Sequence, residues 1–135
     1  FEVHSAKLWV KLDFAIRHGD RVYIYDWKTG RVINENEVQL AIYAIYAKEK
    51  WDIDLKLIRL FDVYLNQQIP VKVKPTEKLL SSASEFIKES IDGMRELLTN
   101  KENNETDIDL FPMVIEDRES YPCSYCSFQT ICYDQ

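Results

Sequence analysis

Large apolar residues fall at alternate positions in two neighbouring stretches, residues 7–17 (KLWVKLDFAIR) and 21–28 (RVYIYDWK). A period of two is that of a β-strand whose faces meet different surroundings. Gly19-Asp20 between them predicts a two-residue hairpin turn, because glycine accepts the positive φ that such turns need. At residues 37–50 (EVQLAIYAIYAKEK) the period changes: Val38, Ala41, Ile42 and Ile45 form one stripe, which predicts a helix. Residues 55–65 (LKLIRLFDVYL) read as a buried strand and 69–74 (IPVKVK) as a shorter one. Thr76 can cap a second helix running to about residue 100, with Leu79, Leu80, Ala83, Phe86, Ile87, Ile91, Met94, Leu97 and Leu98 facing inward. Residues 99–109 (TNKENNETDID) read as a solvated loop, and a cysteine-rich tail follows. There is no internal repeat and no apolar run of membrane-spanning length, so no membrane partner is expected.

The predicted turn sets a register. With Gly19-Asp20 at its tip, paired residue numbers sum to 39, so Phe14 faces Tyr25 and Leu12 faces Trp27 on an apolar face. On the other face Asp13 falls opposite Asp26, and Lys11 opposite Lys28. Directly opposed β-carbons lie about 4.5–5.5 Å apart, so two carboxylates so placed repel unless a proton or cation separates them. Asp26 and Lys28 are two residues apart in a strand and share that face. Two carboxylates beside an ammonium form a plausible site for a hard, oxygen-seeking cation such as magnesium. The plainer alternative is that Asp26 accepts turn hydrogen bonds and Lys28 is solvated, but that leaves the facing Asp13 unexplained.

Charge adds to this picture. The 135 residues carry a net −6, which argues against a generally basic nucleic-acid binder. The distribution is uneven: residues 1–31 carry six basic and four acidic side chains, and residues 76–135 five and thirteen. The positive end therefore holds the Asp-Trp-Lys stretch. With a nucleic acid as substrate, Lys7, Lys11, Arg17, Arg21 and Arg31 could make phosphate contacts around the hairpin. Gln39 and Tyr43, at i and i+4, share one helix face. Gln39 can equally be the capping-box partner of an Asn36 cap, and Tyr43 ordinary packing. The chain opens at Phe1 without Met and already reads as strand, so it is expected to be a piece of a longer protein.

The ordered set KLDFAI, VYIYDWKTG and EVQLAIYAIY resembles the PD-(D/E)XK nuclease superfamily, and within it the RecB and AddB recombination nucleases and their relatives in CRISPR adaptation. The resemblance spans essentially the whole chain. It departs at Lys11, where relatives often carry glycine. It implies an α/β fold of restriction-endonuclease type, with a central mixed sheet flanked by the two helices. It further implies a Mg²⁺- or Mn²⁺-dependent DNA nuclease. Asp13, Asp26 and the Trp27 carbonyl would hold the metal, Lys28 would position or activate the attacking water, and Gln39 and Tyr43 would contact DNA or brace the site. The most direct implication is an exonuclease of recombinational repair, with helicase-like domains or subunits as partners. The alternatives are a CRISPR-adaptation nuclease trimming DNA ends, and a non-catalytic DNA or protein docking domain. Glu2 matches a glutamate often found on the first strand of relatives, though a solvated strand residue is as good a reading. His4, read as a strand surface residue, and His18, at the turn, are assigned no metal role.

Cys123, Cys126 and Cys132 have the spacing C-x2-C-x5-C. Three cysteines this close suggest a metal or cluster clasp, in keeping with a reducing, cytoplasmic setting. The resemblance implies a [4Fe–4S] cluster, whose fourth cysteine would come from outside this chain. Zinc would also need a fourth ligand, and free thiols are the simplest alternative. The expected organisation is a nuclease core over residues 1–120 and a clasp over 121–135.

Overall fold

A computed structural model describes residues 1–30, 37–111 and 119–130. Its contacts group the chain into two compact units, Phe1–Asp92 and Gly93–Gln135. The elements are β1 (Glu2–Val3), β2 (Ala6–Lys7), β3 (Phe14–His18), β4 (Arg21–Lys28), α1 (Glu37–Lys50), β5 (Ile58–Tyr64), β6 (Ile69–Val73) and α2 (Glu77–Glu96). A four-stranded sheet has the order β3-β4-β5-β6, with β4 and β5 parallel and the two outer pairs antiparallel. α1 lies within the connection between the parallel strands, which cannot be joined by a tight turn. This is the mixed α/β architecture of restriction-endonuclease type.

Alternation builds the core. Val22, Ile24 and Asp26 of β4 and Ile58, Leu60, Asp62 and Tyr64 of β5 are buried, while the residues between them are not. Leu40, Ala41, Tyr43, Ala44, Ile45 and Ala47 of α1 are buried with them, and Leu80 and Ala83 of α2 join the same cluster. Ala41, Ala44 and Ala47 have no exposure at all, so small side chains let the helix lie close to its neighbours. Ile24, Leu40, Ile58 and Leu60 are fully buried, and each such side chain contributes about 1.5–3 kcal/mol. The opposite face of the sheet carries aromatic rings: Tyr25 stacks on Phe61 at 5.1 Å and on Trp27 at 6.1 Å, with Phe14 alongside.

The hairpin register is the expected one, from Phe14↔Tyr25 to His18↔Arg21, and Gly19 takes a φ of +63°. The strand expected over 7–17 is interrupted, since pairing with β4 begins only at Phe14. The physical reason lies at Asp13, whose Oδ2 accepts the Trp27 N–H at 2.9 Å. That N–H is therefore taken by a side chain. Leu12–Trp27 and Lys11–Lys28 consequently do not join the ladder. Residues 2–7 instead form a small hairpin whose turn residues, His4 and Ser5, have φ of 49° and 58°. His4 thus lies in a turn, not in a strand as expected.

The strand expected over 55–65 is shorter because Leu55–Leu57 form a 3-10 turn, capped by Asp54 accepting the Lys56 N–H. Thr76 caps α2 as expected, its Oγ1 accepting the Leu79 N–H at 3.1 Å. Leu80, Ala83, Ile87 and Ile91 form its buried stripe, while Phe86, expected inward, is 55% exposed. Phe86 lies roughly a third of a turn away from that stripe. Met94, also expected inward, is exposed and belongs to the second unit. In that unit Asn100 and Glu105 bridge a short turn, and two further 3-10 turns cover Ile108–Leu110 and Cys123–Tyr125.

Candidate active site

The end of β4 places Asp26 and Lys28 on the helix-covered face, where α1 presents Gln39 and Tyr43 one turn apart. Lys28 Nζ lies 2.6 Å from Asp26 Oδ2 and donates to Gln39 Oε1 at 2.7 Å. Gln39 Nε2 donates to Asp26 Oδ1 at 3.0 Å and to the Tyr43 hydroxyl at 2.7 Å. Tyr43 has donor contacts to Asp26 Oδ1 at 3.0 Å and to the Lys11 carbonyl at 3.2 Å. Both hydrogens of the Gln39 amide are used and its oxygen takes the ammonium, so one side chain ties the acid, the base and the phenol together. The Gln39 side chain points into this cluster.

Asp26 is 3% exposed, and a buried carboxylate is tolerated only with such partners. Burial pushes the Tyr43 hydroxyl up to about 12. The Gln39 hydrogen bond works against that rise, and the charge and hydrogen bond of Asp26 and the charge of Asp13 reinforce it. Tyr43 therefore keeps its proton at any ordinary pH and acts as a donor. Asp13 sits in the open just before β3, held by the Trp27 N–H, and its charge reaches the cluster through its effect on Tyr43. The fold thus brings Asp13, Asp26, Trp27, Lys28, Gln39 and Tyr43 to one end of the sheet.

One residue escaped the sequence reading. Asp62 stands beside Asp26 in the parallel β4–β5 register, is 3% exposed, and its buried Oδ1 has no hydrogen-bond partner. Burial raises its pKa, Lys28 opposes that rise and Asp26 adds to it. The available signal was an acid in the apolar phase of IRLFDVYL, where Leu60 and Tyr64 point inward.

Hard oxygen donors at this end, two carboxylates with main-chain carbonyls nearby, suit Mg²⁺ or Mn²⁺. The buried, unpaired Asp62 Oδ1 supports the fit, since a cation would relieve it. Among the described residues no group of three or more His, Cys, Asp or Glu side chains is placed to hold a metal ion, so the candidate donors here are carboxylates in a pair with main-chain oxygens. Lys28 stands on Asp26, and Asp13 is turned to the Trp27 N–H.

Glu2 and His4 have other partners. Glu2 is an exposed residue of β1 paired with Lys7. The His4 ring nitrogen lies 3.1 Å from Ser84 Oγ and 3.2 Å from the Ser84 carbonyl oxygen. Cys123 is half-buried and Cys126 exposed, neither in a disulfide. Cys126 Sγ accepts the Phe128 N–H at 3.4 Å. Cys132, Arg31 and Asn36 lie outside the described residues.

The family model described as the PD-(D/E)XK nuclease superfamily matches residues 1–133. No curated protein matches the chain.

Proposed function

The chain belongs to the PD-(D/E)XK nuclease superfamily, and from that premise we propose that it is a Mg²⁺- or Mn²⁺-dependent deoxyribonuclease whose working residues are Asp13, Asp26, Lys28, Gln39 and Tyr43. The observation that carries this reading is the network around Asp26, in which Lys28, Gln39 and Tyr43 all converge on one buried carboxylate. Asp13, Asp26 and the Trp27 carbonyl would hold the cation. When bound, the metal makes its water more acidic and polarises the phosphoryl oxygen.

The chain's own residues do the rest. Lys28 provides a compact, movable positive charge for the negative charge that develops on the phosphate. Gln39 fixes the ammonium and the Asp26 carboxylate in one arrangement, so little reorganisation is needed when substrate arrives. Tyr43 holds Asp26 Oδ1 with a proton it does not release near neutral pH. The intact and braced Asp26–Lys28 pair favours catalysis over a docking module.

Within this reading the chain is an exonuclease acting on DNA ends in recombinational repair, beside helicase-like domains of a longer protein. The likeness of its ordered motifs to the RecB and AddB nucleases supports that role, with DNA-end trimming in CRISPR adaptation as the second reading. Cys123 and Cys126, on one turn with an N–H···S bond to Cys126, would be two ligands of a [4Fe–4S] cluster with Cys132 and an outside cysteine.

The test is incubation of end-labelled linear DNA and a covalently closed circle with the protein and Mn²⁺. Shortening of the linear DNA alone supports the exonuclease. Cutting of the circle makes it an endonuclease, and no cutting by either this chain or a longer natural form bearing it leaves the docking module.

A further inference from the structure

We propose that Asp62 is a further carboxylate of the cation site, sharing with Asp26 the Mg²⁺ or Mn²⁺ of the nuclease reading on which this inference rests. Three observations carry it. The first is register: Asp26 and Asp62 are direct partners on parallel strands. Neighbouring strands run about 4.8 Å apart, and partnered side chains stand on the same face. That face is the one covered by helix α1, and both acids are 3% exposed there.

The second is the unsatisfied atom. Asp62 Oδ1 is buried without a hydrogen-bond partner, and an unpaired buried carboxylate is among the costliest groups a fold can hold. The strand has no structural need for it, because its phase-mates Leu60 and Tyr64 are ordinary core residues.

The third is that the adjacent donors are turned to Asp26 and not to Asp62 Oδ1. The Lys28 ammonium, the Gln39 amide and the Tyr43 hydroxyl all serve Asp26. On its other side Asp62 pairs with Val71, whose side chain offers no donor. A cation between the two carboxylates supplies what these neighbours do not. The electrostatics agree with the adjacency: apart from burial, the charges that act on Asp62 are those of Lys28 and Asp26.

The experiment needs no variant at first. Mg²⁺ is titrated into the ¹³C-labelled 135-residue chain, and the side-chain carboxyl carbons of Asp13, Asp26 and Asp62 are followed by carbon-detected NMR. The proposal expects Asp26 and Asp62 to move on one binding isotherm. Movement of Asp26 with Asp62 stationary overturns it while leaving the nuclease reading intact. If neither moves, the cation site itself falls, and this inference with it. A second arm measures Mn²⁺ binding to Asp62→Asn by calorimetry. The expected loss is about tenfold or more, with a melting temperature in chelator no lower than that of the parent. Unchanged affinity overturns the proposal.

Discussion

Replacing Lys28 by Met keeps most of the side-chain stem and removes the charge. The ammonium lies 2.6 Å from Asp26 Oδ2, with side-chain exposures of 19% for Lys28 and 4% for Asp26. Breaking a buried ion pair from one side costs about 3–5 kcal/mol. Water reaches the lysine end, and Gln39 and Tyr43 still serve Asp26, so the expected loss is nearer about 2–3 kcal/mol. With a urea slope of about 1.5–2 kcal/mol per molar, the unfolding midpoint in chelator should fall by roughly 1–2 M. Lys28→Met combined with Asp26→Asn should recover most of that loss, because the stranded charge is then gone. A double-mutant cycle should give a coupling of about 2 kcal/mol. Mg²⁺ should also stabilise Lys28→Met more than the parent, since the ammonium no longer occupies Oδ2. A midpoint unchanged by Lys28→Met, or strictly additive variants, would refute this reasoning.

The other predictions draw on the same site. Tyr43→Phe removes the hydroxyl that partners Asp26 and Gln39, and should lower stability at pH 7 by about 1–2 kcal/mol in urea titrations. The Tyr43 pKa rises from 10.0 unfolded to about 12 folded, so the folded state keeps a proton that the unfolded chain loses. The parent should therefore shed stability as pH climbs from 10 toward 12, by at most about 3 kcal/mol, and Tyr43→Phe should lack that component of the slope. Asp62 has a raised folded pKa, so in chelator its ionisation destabilises the fold as pH rises through that value. Asp62→Asn should accordingly melt higher than the parent at pH 7 and lose the advantage below about pH 4, as calorimetric scans would reveal. Asp13→Asn can still accept the Trp27 N–H. It should change stability by less than about 0.5 kcal/mol, while isothermal calorimetry registers weaker Mn²⁺ binding.

What was legible in the sequence was local. The two-residue turn at Gly19-Asp20 fixed the hairpin register, and with it the shared face of Asp26 and Lys28, because a tight turn leaves little freedom in pairing. The change from period two to period 3.6 located α1 between Glu37 and Lys50. The illegible parts depended on contacts that spacing does not encode. That the ladder stops short of Asp13 follows from a carboxylate taking the Trp27 N–H, a choice invisible in alternation alone. The role of Gln39 hung on how closely α1 approaches the end of β4, which the buried alanines of the helix help to set. Asp62 was missed because its place beside Asp26 comes from a parallel pairing across a helical crossover, where no turn sets the register. The acid among the inward positions of β5 was the trace it left.

The most direct test of the central claim pairs two readings on one variant, Lys28→Met: Mn²⁺ affinity by calorimetry, and single-turnover cleavage of end-labelled DNA in saturating Mn²⁺. Affinity should equal or exceed the parent's, with cleavage slowed about a hundredfold or more. Cleavage at the parent's rate would contradict the claim.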